Sequence, residues 1–299
     1  MDRFATLDLF IRIVDRGSFS AAAAACGVSR PVATAAIKAL ESRLGTRLLQ
    51  RSTRHVRPTV EGTAYYRRCI AILADLEDAD CGATGTVSGT LRVDVVGYLA
   101  RTILVPALPE FLTRHPALTV HLGEGERLVD LVREGVDCVV RAGPLADSEM
   151  VTRSLGVMEE VTVASPDYLA RHGMPATPED LEGHQMIGFV SSRTGQPLPL
   201  EFTCGDEVIE VMLPTRLLVS GAETSATAAR QGLGLVQAPR YRFIDDLANG
   251  RLIEVLADFP PTPTPLSVLY PSNRQLSPRV RVFVDWLVEI IGSGILPRS

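Results

Sequence analysis

The first sixteen residues place Phe4, Leu7, Ile11 and Val14 at helical spacing, which predicts a helix with one apolar face and Asp8, Arg12, Asp15 and Arg16 elsewhere. Gly17 stops it, and Ser18 is placed to cap a second helix through the small residues Ala21 to Ala25. After a turn at Gly27, Ser29 caps a third helix with Pro31 in its first turn, where a missing N–H costs little. Val32, Ala36, Ala39, Leu40 and Leu44 predict the buried face of that helix before Gly45 closes it. Helix, glycine-containing turn and helix make a helix-turn-helix. Two short extended segments around the arginine-rich tip Arg51-Ser52-Thr53-Arg54-His55-Val56-Arg57 then predict a β-wing. Thr59 can cap a longer helix in which Tyr65, Cys69, Ile72, Leu76 and Ala79 recur in steps of four and three. That spacing fits a helix that pairs with a second copy; the plain alternative is a helix packed on its own domain.

Beyond the small, turn-rich stretch Gly82 to Gly89, read as a hinge, the period changes. Leu91, Val93 and Val95 alternate with Arg92 and Asp94, as in a half-buried strand. Further strands are predicted at 118–122, 137–141 and around 235–236, and Glu160 to Ala164 reads as a chain crossover into a second subdomain. Helices are predicted at 101–114, 128–135, 165–173, 220–234 and 241–249, with a last one through Val280, Phe283, Val284, Leu287 and Ile291. Strands alternating with helices argue for an α/β body with a mainly parallel sheet.

Composition adds a division of labour. With 299 residues, 46% hydrophobic and 22% charged, the chain is long enough for several cores and is neither disordered nor fibrous. The formal net charge of −5 argues against nucleic acid only as a sum. Residues 1–68 hold eleven Arg and the sole lysine, Lys38, against five acids, so this module carries +7 and the rest −12. The opening Met-Asp-Arg-Phe-Ala-Thr-Leu-Asp is unlike a secretory signal, and no apolar run approaches the roughly 18 residues of a membrane span. Cys26, Cys69, Cys81, Cys138 and Cys204 are scattered without a Cys-x-x-Cys pair, which fits a reduced, cytoplasmic protein. Cys138 with Cys204 is the pair to weigh as a redox sensor against incidental thiols. His55, His115, His121, His172 and His184 lack zinc-ligand spacing, and no Gly-x-Ser-x-Gly, phosphate-loop or dinucleotide fingerprint is present. The expectation is therefore no catalytic residue, no metal and no cofactor. An exported solute-binding protein would suit the acidic body, but not the basic module in front of it.

Ser18-Phe19-Ser20-Ala21-Ala22-Ala23, Val28-Ser29-Arg30-Pro31-Val32, Ile37, Leu40-Glu41, Leu44-Gly45, Leu48, Arg51, Arg54 and Thr59-x-x-Gly62 resemble the N-terminal signature of LysR-type transcriptional regulators, nearly gap-free over about sixty residues. Echoes continue in Gly135-Val136-Asp137, Ala164-Ser165-Pro166-x-Tyr168-Leu169, Pro178-x-Asp180-Leu181 and Gly250-Arg251-Leu252. The resemblance implies a winged helix-turn-helix at 1–60, a linker and dimerisation helix with its hinge at 61–89, and an effector-binding domain at 90–299. That domain would be two-lobed, like periplasmic solute-binding proteins, with lobe one at 90–161 and 266–299 and lobe two at 162–265. The implied partners are double-stranded DNA, a small-molecule effector and other copies of the chain, as a dimer extended to a tetramer, with RNA polymerase a further candidate and no membrane.

On this likeness the helix from Ser29 to Leu44 lies in a major groove. There Arg30 can reach a guanine edge or phosphate, Thr34 a thymine methyl, and Lys38 sits one turn on. Ser29, Arg30, Pro31, Thr34, Lys38, Arg51, Thr53, Arg54 and Arg57 are the DNA-binding candidates. Ala35 and Ala36 stand where the family often carries Arg and Gln, which shifts weight to the wing and to DNA shape. The effector candidates lie where strand C-termini meet helix N-termini: Gly97, Tyr98, Leu99, Ala100, Arg141, Ser191, Ser192, Ser220 and Gly221. For the serines the alternative is helix capping, and for Arg141 it is pairing with a neighbouring Asp.

Overall fold

A computed structural model describes residues 1–51, 56–84, 86–125, 135–145, 150–271 and 276–292, with backbone only at 51 and 81–84. Helix α1 (Arg3–Arg16) starts where Asp2 accepts from Ala5 N at 2.7 Å and ends at Gly17, whose φ of 59° favours glycine. Ser18 caps α2 (Phe19–Ala25), and Ser29 caps α3 (Arg30–Leu44), which ends at a left-handed Gly45. The buried faces differ from the spacing argument. Helix α1 buries Leu7, Leu9, Phe10, Ile11 and Ile13 and leaves Phe4 exposed, because α2, α3 and a later helix all pack on it. Helix α3 buries Ala33, Ile37 and Leu40, while Val32, Ala39 and Leu44 are exposed. The small Ala33 lets the N-terminal half of α3 approach its neighbours, so the opposite side faces outward.

Strands β1 (Leu49–Arg51) and β2 (Val56–Pro58) pair antiparallel and form the expected wing; its tip, with Thr53 and Arg54, lies outside the described residues. The Glu41 carboxylate accepts from Leu48 N and Leu49 N at 2.9 and 3.1 Å, fixing the wing to α3. Helix α4 (Val60–Thr84) follows, with Thr59 Oγ1 accepting from Gly62 N at 2.8 Å. A Cβ at Gly62 would stand 1.9 Å from Leu48 O, so only glycine lets α4 pass the wing this closely. The heptad positions divide. Tyr65 and Cys69 pack into the N-terminal core, with Tyr65 against Phe10 at a ring distance of 5.6 Å, whereas Ile72 and Leu76 are 46% and 40% exposed.

The C-terminal body opens with β3 (Gly89–Val95). Next come α5 (Gly97–Leu99), a π-helical turn (Ala100–Leu104) and α6 (Val105–Arg114), so helical backbone starts at Gly97 rather than Arg101. Strands β4 (Leu118–Glu124), β5 (Cys138–Ala142) and β6 (Met150–Met158) complete this stretch; the helix expected near 128–135 falls mostly outside the described residues. At Glu159 the chain passes into a second sheet through β7 (Glu160–Ala164), followed by α7 (Pro166–His172), β8 (Gly188–Phe189), β9 (Leu200–Cys204), β10 (Glu207–Val211), β11 (Leu218–Val219), α8 (Ala222–Arg230) and β12 (Val236–Pro239). A single 3-10 turn (Arg240–Arg242) and the short α9 (Ile244–Ala248) replace the longer helix expected there, because the buried Phe243 departs from helical geometry between them. After β13 (Ile253–Val255), strand β14 (Thr264–Pro271) returns to the first sheet and α10 (Pro278–Ile290) covers it.

The first sheet has the order β4-β3-β5-β14-β6, and the second is built on β12-β7-β13. The expectation of a mainly parallel sheet holds for β4, β3 and β5 and for the short pair β8 and β11. Strand β14 runs antiparallel to both neighbours, because the chain re-enters the first sheet after the second lobe from the opposite end, and β7 is antiparallel to β12 and β13. Phe111 meets Phe283 edge-on at 5.7 Å and Trp286 at 4.8 Å in the first-lobe core. Cys138 is buried in that core, while Cys204 packs in a separate second-lobe cluster. No described helix is long and apolar enough to cross a membrane.

Replacing Gly62 with Ala should destabilise the N-terminal module by about 1–3 kcal/mol, since Leu48 O is backbone and cannot step aside cheaply. Thermal unfolding of the G62A protein checks this; an unchanged transition would mean that α4 and the wing are not in contact.

Candidate functional site

The outward side of α3 gathers charge that nothing inside the protein uses. Arg30, Pro31, Thr34, Ala35 and Lys38 line one shallow, open hollow on this helix. Arg30, Pro31 and Lys38 are exposed and Thr34 is half-buried. Among the described residues neither Arg30 nor Lys38 enters an ion pair. Ser29 Oγ accepts from Val32 N at 3.5 Å, so its side chain holds the helix start. Arg57, opposite Gln50 in the wing ladder, is exposed; Arg51 closes the ladder opposite Val56. The helix thus presents polar and cationic side chains outward, and the wing adds an exposed cation at Arg57.

The effector candidates fall on two facing lobes. On the first, Tyr98 is half-buried, and its hydroxyl donates to Arg242 O at 2.7 Å, across to the second lobe. The Arg242 guanidinium lies 5.5 Å from the Tyr98 ring centre and donates to Ala222 O at the start of α8, and Tyr241 meets Tyr98 edge-on at 5.7 Å. Arg101 and Glu223 add an ion pair of 3.0 Å across the same gap. Leu99 and Ala100 are buried in the first-lobe core, so only their backbone is available to a ligand. A Cβ at Gly97 would stand 2.7 Å from Glu124 Oε2, which places that carboxylate beside the cleft. Arg141 pairs with Asp94 at 2.5 Å, with both side chains largely buried. On the second lobe, Val190 N donates to Val219 O at 2.7 Å, bringing Ser191 next to Ser220 and Gly221. Ser191 Oγ accepts from Arg193 N and Thr194 N and so holds a turn, while Ser192 and Ser220 are exposed.

Sequence reasoning missed the groups at the back of the cleft. Glu160 opens β7 where the chain enters the second lobe, and it hydrogen-bonds Thr264, where the chain leaves it. It keeps some contact with solvent yet is hemmed in on most sides, as a residue lining a cleft must be. Burial pushes its carboxyl up to about 7, against the hydrogen bond from Thr264 and the charge of Arg242, with Glu201 adding to the rise. A charged residue heading the apolar run Val161-Thr162-Val163-Ala164 was the available signal. Arg242 gave no such sign, since its partners come from distant stretches of chain.

Comparisons with known proteins agree with this geometry at both ends of the chain. Residues 4–63 match the family model described as bacterial regulatory helix-turn-helix protein, lysR family, and residues 84–291 match the LysR substrate binding domain. An HTH-type transcriptional regulator of Escherichia coli K12, YhjC, is 38% identical over 295 residues, covering 97% of this chain and 98% of its own. An HTH-type transcriptional repressor of Pseudomonas aeruginosa is 32% identical and covers 98% and 94%. Among solved structures, CrgA, a LysR-type transcriptional regulator from Neisseria meningitidis, superposes with a TM-score of 0.61 at 32% identity, covering 96% of this chain and 98% of that one.

Because the Glu160 carboxyl is held at about 7 in the fold against its ordinary value of 4.5, the folded protein keeps a proton that the unfolded chain releases. Its contribution is full below about 4.5 and is lost as pH rises through 7. Glu160→Gln should therefore gain melting temperature relative to wild type between pH 4.5 and 7 and hold the gain above. Parallel melting curves over pH 4.5–8 would remove Glu160 from its buried position.

Proposed function

The chain belongs to the LysR-type transcriptional regulators, DNA-binding proteins controlled by a small-molecule effector, and from that premise we propose how its own residues divide the work. Helix α3 enters a major groove with Arg30, Thr34 and Lys38 at base edges and phosphates, while Arg51, Thr53, Arg54 and Arg57 hold the backbone through the wing. The observation that carries this is the open, unpaired Arg30–Lys38 face of α3 on a module of net charge +7. The units are 1–60 for DNA, 61–89 for the linker helix and hinge, and 90–299 for the effector. An effector enters between Tyr98, Gly97, Arg141 and Glu124 on one lobe and Gly221, Ser220, Ser191 and Arg242 on the other. Closing the lobes shifts the population of arrangements in which the DNA modules are presented. Arg141 serves by fixing Asp94 at the cleft edge, a reading favoured by their ion pair.

The exposed Ile72 and Leu76 on α4 are the contact for a second copy, which a two-fold operator requires. The protein works in the cytoplasm as a homo-oligomer, with RNA polymerase as a candidate partner and no turnover of its ligand. Gel retardation with DNA flanking the gene, beside an assay for consumption of any bound ligand, separates a regulator from an enzyme or a carrier.

Arg30→Ala should cost about 1–3 kcal/mol on the cognate site and relax specificity at one base position. Arg54→Ala should weaken binding uniformly and lower the salt slope by about one. Titrations on cognate and scrambled duplexes over a salt series decide; equal losses on both from Arg30→Ala would remove it from base reading. Placing Glu at both Ile72 and Leu76 should dissociate the oligomer in analytical ultracentrifugation, and an unchanged sedimentation coefficient would move the self-contact elsewhere.

A further inference from the structure

Arg279, in the first turn of α10, is only 1% exposed, which is unusual for a guanidinium. Its Nη1 lies 3.2 Å from Glu77 Oε2 and 3.4 Å from Asp78 Oδ1, both on α4, and its Nη2 lies 3.8 Å from Asp137 Oδ1, just before β5. Ser277 Oγ donates to the same Asp78 at 2.8 Å, and Asp137 also accepts from Arg92 N at 2.8 Å. Gly89, at a φ of 100°, sits under the cluster: a Cβ there would meet Glu77 Oε2 at 2.4 Å and Arg279 Nη1 at 3.3 Å. The helix that carries the DNA module, the first strand of the effector domain and its last helix thus converge on one cation.

We propose that Arg279 couples the effector domain to the DNA module by holding α4 on the first lobe through Glu77 and Asp78, in a contact that can be released. The proposal rests on the reading of the chain as an effector-controlled regulator and assigns the residue through which the control passes. The argument is one of charge. Without Arg279, the two carboxylates of α4 face Asp137 across a buried gap, and the contact turns from attractive to repulsive. Release is built in as well. Glu77 is half-exposed, so water can take its place, and Arg279 Nε and Nη2 find no hydrogen-bond acceptor among the described residues. A buried cation left partly unsatisfied makes the docked state costly to hold.

The first sheet also has a mechanical line to the cleft. Strand β14 begins at Thr264, beside Glu160 between the lobes, and runs to Pro271 with one register shift against β6 between Leu266 and Ser267. Residues Leu266 to Leu269 are paired on both sides, so a movement at the hinge is carried into the middle of the first sheet.

The test uses full-length protein spin-labelled with unnatural amino acids at Ala79 and Arg281 and diluted with unlabelled protomers, so only distances within a chain are read. Wild type should give a short-distance population. Arg279→Met, which keeps the volume and removes the charge, should raise the ratio of long to short distances roughly tenfold or more. Adding Glu77→Gln and Asp78→Asn to it should restore the short population, because the repulsion is gone. If Arg279→Met does not fold, Glu77→Gln with Asp78→Asn alone, made on the more exposed partner, should release α4 by the same measure. An unchanged distance distribution in a folded variant, or no recovery in the triple variant, overturns the proposal. The readout needs neither DNA nor effector, so loss of DNA binding in wild type would count against the regulator reading and leave this result standing.

Discussion

Between β5 and β6, neighbours in sequence, lies a strand supplied only after the chain has built its entire second lobe. Strand β14 pairs with β6 from Thr264 to Pro271 and with β5 from Leu266 to Leu269, and it buries Leu266 and Val268 in the first-lobe core. Remove it and the sheet divides into a three-stranded parallel piece and a lone β6, with no continuous surface for Phe283 and Trp286. The same strand begins beside Glu160 in the hinge, and α10, which follows it in the chain, meets the linker helix. Hinge, core and linker contact are therefore tied to one run of ladder hydrogen bonds, which is why the two lobes behave as parts of one domain rather than as two beads.

The cleft itself is electrostatically balanced. Arg141 is matched by Asp94, Arg101 by Glu223, and Arg242 faces Glu160. On the proposed reading a charged ligand competes with one member of these pairs, and a carboxyl that titrates near neutrality is the easiest to change. Binding of an anion beside Arg242 and uptake of a proton at Glu160 would then be linked events. The DNA face is the opposite case, with cations left open and the acidic remainder of the chain set away from phosphate.

What the sequence revealed was governed by distance along the chain. Ser18, Ser29, Gly17 and Gly45 were legible as helix ends because capping is a contact over three or four residues. The wing followed from its position after the third helix, and the family likeness carried the two-lobed plan. Burial on α1 and α3 was misread because a single-stripe rule fails for a helix covered on several sides. The heptad on α4 was half right for the same reason: its first two positions pack at home and the next two face outward. Tyr98 was among the positions read from the sequence and its partner Arg242 was not, since the two are brought together by the fold alone. Arg279 did leave a trace, because a cation in the first turn of a helix opposes the helix dipole and so implies a carboxylate nearby.

The late origin of β14 also sets an order of assembly on the ribosome. The helix-turn-helix, wing and linker helix draw on the first 84 residues and can fold as soon as they emerge. Strands β3 to β6 are synthesised next but stay an incomplete sheet, with edges exposed, while the second lobe is made. Only when residue 271 and α10 have left the exit tunnel can the first lobe close. The DNA-reading end therefore exists, folded and basic, for the whole interval in which the domain that governs it is unfinished, and a chain that stalls before β14 releases a reader without its control.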